Sequence, residues 1–394
     1  MKLWEKNYKL DKKVEEYTVG NDYIIDQKLV KYDCLASIAN AKMLQKINIL
    51  TEKECGQIIK ELESIIKLDK KNSFQIKPED EDCHTSIENY LIEKLGDTGK
   101  KIHTARSRND QVLTALRLYY KDEIKQIIKL VENLIKSLLD FKQKYGFIRL
   151  PGYTHMRKAM PSSVALWCDA FTESMQDNAE LMNLIYKHTN KSPLGTGAGY
   201  GLPIKIDRKL TAKLLNFEKI QENSLYVQNS RGNFESLILE GLSQIMIDLN
   251  KISSDIILFS MSEFGFMEIS SKICTGSSIM PHKKNPDVLE LLRANYHKLI
   301  CFEFEIKSMI GNLISGYHRD FQLTKEPMIN GFKITKQSLD VMIVVFGNLK
   351  VNPDNCKKAM TEELFSTQKM YESVEKGMPF RDAYKQASDN YGLV

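Results

Sequence analysis

The chain has 394 residues, 42% hydrophobic and 27% charged, which gives it ample core and argues against a disordered chain. Its 20 Gly and 10 Pro are few for that length and favour long helices over turn-rich β architectures. The 56 basic and 51 acidic side chains are mixed along the chain, and the net charge of +5 argues against a nucleic-acid coat.

The opening MKLWEKNYKLDKK has no apolar core and no cleavage site, so no leader is expected there. Amphipathic pieces follow at 30–48, 52–67 and 85–95, broken by KLDKKNSFQIKPEDED. They predict an N-terminal helical domain over 1–105. Next, Leu113, Leu116, Tyr120, Ile124, Ile127, Val131, Leu134 and Leu138 recur in steps of three and four. Ile238, Leu242, Ile245, Leu249, Ile252 and Ile256 repeat the pattern. So do Val288, Leu292, Leu299, Phe302, Ile306 and Met309, with Asn295 interrupting. A strand would alternate, and none of these does. Such stripes describe long, nearly parallel helices, so a central bundle domain is expected over 106–350. The stripes read as core or helix seam, and their length suggests that some seams meet other subunits.

After Lys350 short helices return, predicting a third domain over 351–394 that stops at ASDNYGLV without an evident closing element. The fold expected is therefore all-α. No apolar run is long enough for a membrane span. The seven cysteines are odd in number, widely spaced and free of CxxC pairs, which points to reduced thiols of a cytoplasmic protein.

Five segments could carry chemistry. The stretch from Thr275 to Asp287 is a Gly-Ser turn, then a loop with Lys283 and Lys284, then Pro286 and Asp287 opening a long helix. Backbone N–H groups at a helix start beside two lysines suit an anion, and a serine there could have its alkoxide stabilised. The same residues also read as a Ser-capped, Lys-rich surface loop. His103 to Gln111 heads the first long helix, with Arg106 and Arg108 flanking Ser107 and with Asn109 beside them. Guanidinium forks hold carboxylates and the amide orients them, though a capped helix start with surface ion pairs fits as well. Pro151 to Met156 is a Pro-Gly turn presenting Thr154 and His155. His84 and Glu88, four apart, read as a His–Glu pair on one helix face; without further ligands at useful spacing, no metal is expected. The glycine-rich PLGTGAGYG at 193–201 lacks the context of a P-loop or dinucleotide site and reads as a mobile turn.

Together these segments resemble a known family. GSSIMPHKKNPD is similar to the signature loop of the fumarase/aspartase superfamily. KIHTARSRNDQ, EDCHTSIE, PGYTHM and GYHRDFQLTKEP resemble argininosuccinate lyases, in that family's chain order. The likeness runs from Leu3 to near residue 386. It implies a three-domain, all-α fumarase/aspartase-type fold with a central long-helix bundle, here with a shortened C-terminal domain. The implied activity is reversible cleavage of argininosuccinate to arginine and fumarate, the last step of arginine synthesis, with no cofactor. The implied assembly is a cytoplasmic homotetramer whose active sites each gather segments from three subunits.

By the same resemblance Ser277 takes a proton from carbon, and Lys283 and Asn285 hold the carboxylate that gains charge. His155, backed by Glu290, serves the leaving nitrogen; the roles of Ser277 and His155 are also open to exchange. Arg108, Ser107, Asn109 and Thr154 fall to the succinyl carboxylates. Tyr317, Gln322 and Lys325 fall to the arginine part, and Asp22 is a weaker match to an N-terminal substrate contact. His84 supports the site region. Departures from the family pattern are Asn40, Arg157-Lys158 and Leu323-Thr324. Two rivals remain at this point: another fumarate-releasing lyase, such as one acting on adenylosuccinate, and a non-catalytic protein on a lyase fold.

Overall fold

The computed structural model describes residues 10–390. Helices dominate, with three two-stranded pairings: Arg149–Thr154 with Arg157–Ser163, Lys191–Ser192 with Lys219–Ile220, and Met267–Ile269 with Leu349–Val351. Two compact units emerge, each drawn from three stretches of chain. One comprises Met1–Ile127, Leu181–Leu242 and Ile300–Lys333; the other comprises Ile128–Glu180, Ser243–Leu299 and Ile334–Val394.

The early helices begin where the side chains supply caps. Thr51 and Glu54 form a reciprocal capping box at Glu52–Lys70, and the Asp82 carboxylate accepts the Thr85 N–H at Cys83–Leu95. With Val30–Lys46 these are the three predicted N-terminal pieces, each shifted by only a few residues. The predicted stripes of the helices Arg108–Tyr145 and Asn233–Phe259 are fully buried at every position from Leu113 to Leu138 and from Ile238 to Ile256. Asp287–Ile310 differs: Leu292, Leu299 and Ile306 are buried, while Leu291 and Phe304 are exposed.

Two further long helices, Val164–Thr189 and Lys325–Gly347, escape the periodicity reading. In the first, the inward positions Val164, Met175, Met182 and Ile185 are interspersed with Cys168, Thr172, Asn178 and Thr189, small or polar residues that blur an apolar stripe. The second contains Pro327, which a first turn tolerates because its missing N–H has no intrahelical partner there. Past Leu349–Val351 the chain forms the short helices Pro353–Ala359, Ser366–Glu375 and Phe380–Asn390. No described helix is long and apolar enough to cross a membrane.

Candidate active site

In the first unit, a narrow cleft with about 20 Å³ of free volume is lined by Asp22, Asp82, Arg108, Asn109, Arg231 and Lys325, with Tyr317, Arg319 and Gln322. Lys325 is 3% exposed and donates to Asp22 at 3.0 Å and Asp26 at 2.7 Å. Burial alone would discharge the ammonium, but the two carboxylates outweigh it and raise its pKa. Asp22 is pushed up to about 6 by burial, against the pull of Lys325. Arg108 opens its long helix and ion-pairs with Asp82 and with Glu81 at 3.4 Å. Gln322 donates to the carbonyl of Thr18 at 3.0 Å, and its own Oε1 is buried without a partner.

The sequence reading missed Arg231. This guanidinium is 4% exposed, sits 5.2 Å from the Tyr317 ring and 5.0 Å from Phe321, and keeps Nη1 buried without a hydrogen-bond partner. A buried cation with a spare donor facing a cleft suits a carboxylate. Its only sequence signal is a lone Arg in NSRGN, which nothing marks out.

Behind the cleft lies a buried polar network. His84 pairs through Nδ1 with Asp33, which also accepts from Gln111 at 3.0 Å and from Ser37 at 3.2 Å. Burial disfavours the imidazolium, yet Asp33 raises the His84 pKa; Asp33, also buried, is lowered by His84. The expected His84–Glu88 pair is not formed: Glu88 turns to His103 at 3.7 Å, because Asp33 from the neighbouring helix reaches His84 first. Asp26, Cys83 and His84 have ligand atoms within 4.8 Å of one another. Lys325 already occupies Asp26, Asp33 occupies His84, and burial holds the Cys83 thiol protonated, so this donor set does not fit a cation.

The glycine-rich segment is tied at its start to the head of the first long helix. Asp110 accepts the N–H groups of Gly195 and Gly197, both at 2.9 Å, while its other oxygen accepts Ser107 N–H at 3.0 Å. Gly195 and Gly197 both have positive φ, so the backbone can turn its N–H groups onto one carboxylate. The pinned loop thereby fixes the Ser107-Arg108-Asn109 turn.

In the second unit, Thr275 and Asn285 bridge the ends of the signature loop through both backbone hydrogen bonds, at 3.1 and 2.8 Å. Asn285 donates from its side chain to the Gly276 carbonyl at 3.2 Å, and Thr275 donates to Asp287. Inside this closed loop the Ser277 hydroxyl oxygen accepts two backbone N–H groups, from Ile279 at 3.3 Å and Met280 at 3.1 Å. Lys283 and Glu290 are exposed and Asn285 is half-buried.

Thr154 and His155 stand at an exposed hairpin tip. The turn lies not at Pro151-Gly152, as expected, but at His155-Met156, with φ of 51° and 58°. A two-residue hairpin demands that left-handed pair, and without glycine it costs about 1–2 kcal/mol per residue. Gly152 is needed for another reason: a side chain there would meet the Met160 carbonyl at 2.9 Å. Among the described residues, no hydrogen bond or ion pair joins His155 to Glu290 within the chain.

The expected residues thus form two groups. Asp22, Ser107, Arg108, Asn109, Tyr317, Gln322 and Lys325 belong to the first unit, with His84 in the network behind them. Thr154, His155, Ser277, Lys283, Asn285 and Glu290 belong to the second.

A protein-family model described as lyase matches residues 2–300. An argininosuccinate lyase of Thermotoga neapolitana is 52% identical over 99% of this chain and 98% of its own. One from Parabacteroides distasonis is 41% identical over 98% of this chain and 86% of its own. Among solved structures, an EDDS lyase variant with bound fumarate superposes with a TM-score of 0.81 at 20% identity, covering 96% of this chain and 76% of that one. A class II fumarase from Schistosoma mansoni gives 0.79 at 15% identity, covering 99% and 93%. At such identities the structures speak for the fold alone: a predominantly helical architecture shared with that EDDS lyase and that class II fumarase. The sequence matches, nearly end to end, say more: the chain belongs to the argininosuccinate lyase family.

Proposed function

We propose that the protein catalyses the reversible β-elimination of argininosuccinate to L-arginine and fumarate, serving arginine synthesis in the cytoplasm. The observation that carries the chemistry is the Ser277 oxygen with two backbone N–H groups aimed at it. A serine is a poor base in water; fixed donors and a nearby lysine make its alkoxide attainable. In this reading Ser277 removes the proton from the carbon beside a succinyl carboxylate. Negative charge grows on that carboxylate, and Lys283 and Asn285 hold it. The electron pair then forms the double bond of fumarate as the C–N bond breaks, and His155, oriented by Glu290, gives the leaving nitrogen its proton.

Arg108, Ser107, Asn109 and Thr154 hold the succinyl carboxylates. Tyr317, Gln322 and Lys325 hold the arginine part, with Asp22 facing its positive end, while His84 braces the wall behind. We read the chain as an N-terminal domain over 1–105, a bundle over 106–350 and a short third domain over 351–394, four copies of which assemble so that each active site gathers segments from three subunits. The exposed Leu291 and Phe304 on a long helix support such a seam. No metal or cofactor enters the scheme.

The test is fumarate absorbance with purified protein, first with argininosuccinate and then with adenylosuccinate, alongside the mass in solution. Fumarate from argininosuccinate alone, from a particle of four chains, is expected. Fumarate from neither substrate would leave a lyase fold without this activity.

A further inference from the structure

The His155 tip is held in an unfavourable turn, and such a turn persists only where its surroundings over-determine it. The surroundings here are specific. The last ladder pair before the tip pair is Tyr153 opposite Lys158. Tyr153 packs edge-on against Phe264, with ring centres 6.2 Å apart. Lys158 supplies a second anchor: its ammonium donates to Thr361 Oγ1 at 3.0 Å and lies 3.8 Å from Glu363. Thr361 itself donates to Glu363, so the three side chains form one closed set. Beyond this tie, the strand Arg157–Ser163 borders a cavity of about 310 Å³ lined by Lys158, Ala159, Ser366, Met370 and Tyr384. The ladder to Arg149–Thr154 holds the strand along its length, and the Lys158 tie adds a side-chain anchor at the end next to the tip.

We infer that Lys158, anchored by Thr361 and Glu363, is a positioning residue that holds the His155 tip in its reactive place, so that residues 361–363 of the C-terminal region set the geometry of proton transfer. The inference rests on the reading of His155 as a proton-transfer group. Proton transfer is steep in distance, whereas binding by the separate cleft residues is not, so the two kinetic parameters should part.

The experiment compares Lys158→Ala, Lys158→Arg, Thr361→Ala and His155→Asn in the intact protein by steady-state kinetics and thermal unfolding. Lys158→Ala is expected to lower kcat about ten-fold while KM stays within about two-fold and the unfolding midpoint hardly moves. Lys158→Arg, which keeps a donor of similar reach, restores kcat, and Thr361→Ala repeats a part of the loss. A kcat for Lys158→Ala within about two-fold of wild type beside an inactive His155→Asn overturns the inference alone. An arginine variant as slow as the alanine variant also overturns it. An active His155→Asn removes the reading of His155 and the inference with it.

Discussion

In the cleft around Lys325, charge is buried and already matched; around Ser277, charge is exposed and waiting. Lys325 has two carboxylates within 3.0 Å, and Arg108 has Asp82 and Glu81. Lys283, by contrast, is exposed and has no ion-pair partner among the described residues. The first arrangement fixes geometry, because Lys325 and Arg108 have their partners in place before a ligand arrives and only Arg231 Nη1 and Gln322 Oε1, among the cleft atoms named above, are left to meet it. The second leaves a cation and a hydroxyl whose mutual help is small in water and rises several-fold once solvent is excluded. Binding groups can be built into one folded unit; a weak base needs a partner surface to close over it.

The comparison breaks most sharply at the exposed group. Ser277→Ala should cut turnover at least about 10³-fold, while the mass in solution stays that of the wild type. A rate within about ten-fold of wild type would take the serine out of the mechanism. Lys283→Met should cost about 10²-fold, since one fixed charge at a developing anion carries that much, and weaken fumarate binding. An unchanged rate would end the argument for a cationic loop.

The buried side should fail differently. Lys325→Met leaves Asp22 and Asp26 facing each other without a cation, and breaking such a pair costs about 3–5 kcal/mol. Asp22, already pushed up to about 6, can take a proton, which holds the loss near the low end. The unfolding midpoint in denaturant should fall and KM should rise. A variant that loses rate but no stability would show that the ammonium is not a structural counter-ion.

What the sequence revealed follows the same division. The long stripes were legible because a helix with one fully buried face must repeat every three or four residues. The loop at Ser277 was legible because its residue types are held by local geometry: the bridge from Thr275 to Asn285 closes it within eleven positions. The cleft was less so. Asp22 and Lys325 lie 303 residues apart, and no local pattern links them. Arg231 was invisible for a related reason: its burial and its aromatic neighbours are tertiary facts. His84 misled because Glu88, four positions on, shares its helix face, whereas the acid that reaches it is Asp33, 51 positions away. The glycine-rich turn showed only its composition, which says nothing of Asp110, 85 residues earlier, whose carboxylate accepts the Gly195 N–H.

The network behind the cleft gives the smallest effect and the finest test of what buried matching means. His84 has its pKa raised above 6.5 by Asp33, so its stabilisation is complete below that value and is lost as pH rises through the raised one. Asp33 is lowered below 3.8, so its stabilisation is complete above that value and is lost as pH falls through the lowered one. Between the two ordinary values the pair contributes in full. His84→Asn keeps a donor of similar size and removes the charge. The gap between wild type and this variant, read as the denaturant midpoint, should be widest at about pH 5 to 6 and should narrow steadily above about pH 6.5. A gap that stays constant into alkaline pH would mean that Asp33 holds a neutral imidazole, and that the network is matched by hydrogen bonding alone rather than by charge.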